Sequence, residues 1–225
     1  MLFTAPGELI GGTADEQDHW DCILLIEPDF FLNHPEAEKT RGYGFFSYTA
    51  TEALHLSQKE KTVVLSVFQM IEQELNSRID EFSRDIMVTQ IELLLNYCVR
   101  FYKRQFIIRD NNSSDLLQRM DHVLDEYFNN DHALKAGAPT VQHLSDHLNF
   151  SPGYLRDMLS CLTGKSAQQH IHNRIIDRAM EKLSTTNLSI IAIAYELGFE
   201  NPPSVSTLFK MKTQLSPPGF GHTFN

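Results

Sequence analysis

The sequence predicts a mainly α-helical chain: a few N-terminal β-strands, then a helical hairpin, then a C-terminal domain carrying two helix-turn-helix motifs joined by a linking helix. Three observations predict it. Strand-like apolar runs bounded by Gly, Pro and Asp are confined to residues 1–28, and amphipathic stripes at helical spacing fill 58–104. The segment "LSDHLNF" at 144–150 returns as "IAYELGF" at 193–199, an offset of 49.

With 225 residues the chain is long enough for one or two domains with a buried core. Hydrophobic residues make up 42% and charged residues 21%, which argues against a disordered or fibrous chain. No apolar run approaches the roughly 20 residues of a membrane helix. The start, "MLFTAPGELIGG", lacks the basic n-region of a signal peptide. Cys22, Cys98 and Cys161 are odd in number and scattered, so they are expected to be reduced thiols filling core space in a cytoplasmic protein. The net charge of −10 is unevenly spread. Residues 1–139 hold 12 Lys+Arg against 23 Asp+Glu, and residues 140–225 hold 7 against 6, which suggests two modules with different partners.

In chain order, "MLFTAP" and "WDCILLIEP" read as strands. Two or three strands cannot form a stable sheet alone, so they are expected to be the end of a larger β domain. "PDFFLNHPEAEKTRGYGFFSY" reads as short helices packed on them. Val64, Phe68, Ile71, Leu75 and Ile79 form one helical stripe; Met87, Ile91, Leu94, Leu95, Cys98, Phe101 and Tyr102 form another. The link "DEFS", with Ser83 as the expected N-cap, folds them into an antiparallel hairpin whose outer apolar residues serve either as core or as a dimer surface. "IIRDNNSSD" marks a boundary, giving a first domain at 1–106, a linker at 107–113 and a second domain at 114–225. A helix over Ser114–Phe128 opens the second domain, and "NNDHALKAGAP" breaks it.

The repeat then organises the rest. Further on, "TGKS" at 163–166 meets "TQLS" at 213–216, an offset of 50. In each copy a first helix ends at Asn149 or Gly198, residues that tolerate a left-handed backbone. Ser145 and Ala194 are small where a second helix must cross, and Phe150 and Phe199 plug the corner. A new helix restarts at Ser151-Pro152 or at Asn201-Pro202-Pro203, with a capping residue followed by proline. The motifs are expected at about 140–162 and 189–213, joined by a helix at about 166–184 striped with Ile171, Ile175, Ala179 and Leu183. In such a motif the N-terminal face of the second helix is left open to a DNA major groove.

The segments "SIIAIAYELGF" and "LFKMKTQLSP" resemble the DNA-binding domain of the AraC/XylS family of bacterial transcription factors, over about residues 114–225. The resemblance implies a seven-helix DNA-binding domain. It also implies that the N-terminal part is the remnant of a cupin-like sensor barrel followed by a dimerisation hairpin at 58–104. The chain is then a sequence-specific transcriptional regulator, activator or repressor, with recognition helices in successive major grooves, and a small-molecule effector is an open partner. By position at the recognition helices the candidate DNA contacts are Ser151, Gly153, Tyr154, Arg156 and Lys165 in the first copy and Asn201, Ser204, Thr207 and Lys210 in the second. Arg174 on the linking helix completes the set.

The chain departs from the family pattern at Asp157, Thr207 and Gly221, where an Arg is usual, at Val205, where a Phe is usual, and at Gln214, where a Gly is usual. Fewer cations mean weaker phosphate binding. These changes motivate an alternative: a degenerate, truncated relative acting as a dimerisation partner with little DNA affinity. Enzyme chemistry is not indicated. His143 and His147 have metal-chelating spacing on a helix but lack a third ligand, and no phosphate loop or nucleophile elbow is present. The sequence therefore calls for no cofactor, metal or membrane.

Overall fold

The computed structural model describes residues 1–5, 7, 22–31, 42–109, 113–130, 132–186, 188–199 and 202–221. The chain divides into two compact units, Met1–Phe106 and Ile107–Asn225.

The first unit carries 3₁₀ turns at Pro28–Phe31, Gly44–Ser47 and Ala50–Glu52, then helices α1 (Gln58–Asn76) and α2 (Ser83–Arg109). Ser57 and Glu60 form a reciprocal capping box at the start of α1, which satisfies N–H groups that the helix itself leaves open. Ser83 is the first residue of α2 rather than its cap. The Asp80 carboxylate takes that place, accepting from the N–H groups of Phe82 at 2.9 Å and Ser83 at 3.1 Å. Val64 and Ile71 are buried as the stripe predicts, but Leu75, in the last turn of α1, and Ile79, beyond its end at Asn76, are 60% and 80% exposed. On α2, Ile91, Leu94, Leu95, Cys98, Phe101 and Tyr102 are all buried. Phe45 stacks on Tyr102 with centroids 5.7 Å apart and meets Phe3 at 4.4 Å. Arg104 clasps Glu60 through two hydrogen bonds of 3.0 and 2.9 Å, tying α2 to the first turn of α1.

The predicted N-terminal β-strands are a correction. Among the described residues no strand is present. Met1 and Leu54 exchange backbone hydrogen bonds of 2.7 and 2.9 Å, but the exchange does not extend into a ladder. Ile23 and Leu25 are 80% and 89% exposed, so the most apolar part of "WDCILLIEP" finds no sheet to cover it. Trp20 and Asp21 of this segment, like residues 8–19 before it, lie outside the described residues. Of the cysteines expected in the core, Cys98 is buried, Cys161 is half-buried and Cys22 is exposed.

The second unit contains α3 (Ser113–Asn129), α4 (His132–Ala136), α5 (Val141–Leu148), α6 (Pro152–Thr163), α7 (Ala167–Thr185), α8 (Ile190–Glu196), α9 (Pro202–Thr213) and α10 (Pro217–Gly221). The described residues of this unit thus hold eight helices where seven are expected, and the segment read as a break folds into the short α4. Helix α7 is the hub: α3, α5, α6, α8, α9 and α10 all pack on it. Its residues Ala167, Ile171, Ile175, Ile176 and Ala179 are buried.

The two halves also meet backbone to backbone. Gly198 adopts φ +84°, and a Cβ built there lies 2.4 Å from the Gly137 carbonyl carbon, so only glycine fits. Gly164 has φ +68° but open space around it, whereas Gln214, its counterpart in the repeat, holds φ 62° with a side chain. Gly198→Ala is expected to lower stability by about 2–4 kcal/mol and Gly164→Ala by only about 1 kcal/mol, while Gln214→Gly raises it by about 0.5–1 kcal/mol. Denaturant unfolding of the full chain checks the order.

Candidate nucleic-acid interface

Both motifs are built by the same bonds. The side chains of Thr140 and Ser189 cap α5 and α8, accepting from His143 N–H at 3.1 Å and Ala192 N–H at 3.2 Å. Asn149, at φ 57°, and Gly198 turn the chain out of those helices. The N–H of Phe150 then reaches back to the Ser145 carbonyl, and that of Phe199 to the Ala194 carbonyl, each at 3.0 Å. Ser145 and Ala194 are 0% exposed, as close helix crossing demands. Leu144 and Ile193 occupy matching core positions, as do Leu148 and Leu197. Past the corner, Leu155 matches Val205 and Leu159 matches Phe209, all 0% exposed. The loops that leave the second helices also match: Thr163 and Thr213 each accept from the backbone N–H two residues on, at 3.1 and 3.2 Å.

The burial pattern defines what each second helix offers to solvent. On α6 the core takes Tyr154, Leu155, Met158 and Leu159, leaving Gly153, Arg156, Asp157 and Ser160 on the other side. Ser151 caps this helix, accepting from the Tyr154 N–H at 3.2 Å. Tyr154 itself is fully buried, with its ring stacked on Phe150 at 5.4 Å. The Arg156 Nε donates to the Asp157 carboxylate at 2.9 Å. Lys165 is exposed just beyond the left-handed Gly164 that ends α6. On α9 the core takes Val205, Leu208 and Phe209, and Thr207 and Lys210 are exposed. Ser204 lies in the first turn of α9, and Asn201 lies outside the described residues, as do His222–Asn225.

Arg174 is half-buried and engaged with the carboxylate of Asp125 on α3, its Nε donating at 2.8 Å. Arg178 donates to the same carboxylate at 3.0 Å. Lys182 donates to Glu196 on α8 at 2.6 Å. The cations of the linking helix therefore hold the unit together. Burial works against the charged form of Asp125, but hydrogen bonds and charge from Arg174 and Arg178 overcome it and hold the carboxyl below its usual range.

A cavity of about 460 Å³ opens between α3, α4 and α5, where His132, His143 and His147 meet Glu126 and Tyr127. His143 packs edge-on against Tyr127 with centroids 4.6 Å apart, and its ring lies 4.0 Å from that of His147. Burial, and then the neighbouring histidines, lower the His143 pKa. Among the described residues no group of three or more His, Cys, Asp or Glu side chains has metal-binding geometry.

Residues 144–221 match the family model described as a helix-turn-helix domain. This segment is a helix-turn-helix domain. The chain is similar to two bacterial regulators. An uncharacterized HTH-type transcriptional regulator of Bacillus subtilis, YfiF, is 29% identical over 140 residues, covering 62% of this chain and 41% of its own. An uncharacterized HTH-type transcriptional regulator in the cgkA 5′ region of Pseudoalteromonas carrageenovora is 34% identical over 82 residues, covering 36% of this chain and 49% of its own. The chain thus spans less than half the length of these two relatives. Among solved structures, the C-terminal domain of the two-component response regulator yesN from Fusobacterium nucleatum aligns at 27% identity over 49% of this chain and 98% of its own, with a TM-score of 0.40.

Sequence reasoning missed Asp125, which organises two arginines from outside the repeat. Its signal was faint, one acid on the polar side of α3 among several. Asp125→Asn is expected to cost about 1–3 kcal/mol at neutral pH, between exposed and buried ion pairs. Because the folded carboxyl is held below its unfolded value, this stabilisation is complete above about pH 4 and fades as pH falls through the lowered folded value. Unfolding of both proteins from pH 7 to pH 2 should show their stability gap closing in acid.

Proposed function

We propose that the chain is a cytoplasmic, sequence-specific DNA-binding transcriptional regulator, with α6 and α9 entering successive major grooves along one side of a duplex. The observation that carries this reading is the duplicated motif. Its two second helices start with the same proline, bury equivalent residues and turn equivalent faces outward. Names of the two relatives support it. Ser151, Gly153, Arg156 and Lys165 on the first motif, with Asn201, Ser204, Thr207 and Lys210 on the second, are the contact set. In this reading Tyr154 acts from the core by holding Phe150, and Arg174 acts by fixing α7 to α3.

Few cations lie at this face: Arg156, which is bonded to Asp157, and Lys165, Lys210 and Lys212, on or beside α6 and α9. Binding should therefore show a shallow salt dependence, with a log–log slope no steeper than about −4. Fluorescence anisotropy with a duplex selected from random sequence, between 50 and 200 mM salt as about the useful range, measures it. Lys210→Ala should reduce the slope by about one and weaken binding alike across sequences. Failure to enrich any sequence would overturn the reading.

The α1–α2 hairpin is proposed as the homodimer surface. Leu75, Phe82 and Leu93 expose 60%, 60% and 41% of their area there. Light scattering should report a dimer, and Phe82→Asp with Leu93→Asp a monomer.

A further inference from the structure

The outward face of α6 bears a carboxylate, an odd group to aim at a polyanion. Asp157 is 32% exposed at the side chain, and Arg156 beside it is 55% exposed. The guanidinium holds the carboxylate through bonds of 2.9 and 3.4 Å. This pairing cancels the charge that would repel phosphates and keeps the acid on the groove-facing side. An ionised Asp only accepts hydrogen bonds. In the major groove the base-edge donors are the amino groups of cytosine and adenine. Adenine sets its amino group beside the N7 acceptor, which repels a carboxylate, whereas cytosine does not. Guanine offers two acceptors there, and thymine an acceptor and a methyl.

We propose that Asp157 is a specificity-determining residue that selects cytosine in the half-site read by α6, with Arg156 as its positioning partner. The proposal rests on the DNA-binding reading above. The second motif has no counterpart. Fifty residues on, Ser206 and Thr207 replace Arg156 and Asp157, and hydroxyl groups bond to either kind of base edge. Discrimination by charge is thus confined to one half-site, and the bound sequence is not a repeat of two equal halves.

Selection of duplexes from a random pool by the full chain tests this, with Asp157→Asn and Asp157→Ala alongside and thermal melting to show that each variant folds. The unaltered chain should enrich sites with a fixed cytosine at one position, and changing that base should cost about tenfold in affinity. Asp157→Asn should convert the preference at that position to adenine, which pairs with an Asn amide through N6 and N7. Asp157→Ala should erase the preference there and leave the other positions intact. If Asp157→Ala strengthens binding to all sequences equally, Asp157 merely repels phosphates and the proposal falls. A site without a fixed cytosine also overturns it while leaving the DNA-binding reading standing. If the unaltered chain enriches nothing, both fall together.

Discussion

The stripe of Ile171, Ile175 and Ala179 along α7, each at most 1% exposed, is the constraint from which the second unit takes its form. These residues recur every fourth position, so they line one side of a straight helix. The first motif packs on α7 through α5 and α6, and the second through α8 and α9. The separation of the motifs is therefore set by the rise of a helix rather than by a loop. A helix of 19 residues is roughly 28 Å long, of the same order as the roughly 34 Å turn of a DNA duplex. A polar group introduced at Ile171 or Ile175 would be stranded in the core.

Two further ties explain why a helix this polar on its outer side stays in place. Arg174 and Arg178 share Asp125, so the N-terminal helix of the unit is fastened to the hub by charge-assisted bonds. On the other side, Gly198 lies against Gly137 without a side chain between them, and the Tyr127 hydroxyl donates to the Gly137 carbonyl at 2.9 Å. The turn of the second motif thus rests on the chain that leads into the first. Arg174, Arg178 and Lys182 are thus structural groups in this unit, each bonded to an acid of another helix.

The repeat was legible because its demands are local. Capping hydroxyls, a left-handed exit, a small residue at the crossing and proline at a helix start each need one residue type at one place, and a single sequence displays them. The expected N-terminal strands are absent from the described residues for a related reason. Alternating or short apolar runs promise a strand only if another strand pairs with them, and Ile23 and Leu25 have no such partner among the described residues. Tyr154 shows the same limit on a smaller scale. Its position near the start of a recognition helix suggests DNA, while its rotation about the helix axis, set by Leu155, Met158 and Phe150, turns the ring inward. Asp125 was invisible for a third reason: its partners lie about 50 residues away, and nothing in the local pattern of α3 points to them.

A chain of net charge −10 is a poor electrostatic match for a duplex, and the structure sharpens the difficulty by committing Arg174, Arg178 and Lys182 to internal acids. If the chain binds DNA as proposed, affinity from counterion release would be small, since it scales with the number of phosphates neutralised. What remains is the geometry of two helices held by one rod, and the hydrogen-bonding groups on their outer faces. On the proposed reading, binding would draw more on base edges than on backbone charge, and so would lose little when salt rises and much when a base is wrong. Non-specific association would be weak for the same reason, which would preserve the ratio of specific to non-specific binding at modest absolute affinity. The acidic balance of the chain is thus compatible with selective reading of DNA, provided that the two motifs engage together and neither is asked to hold the duplex alone.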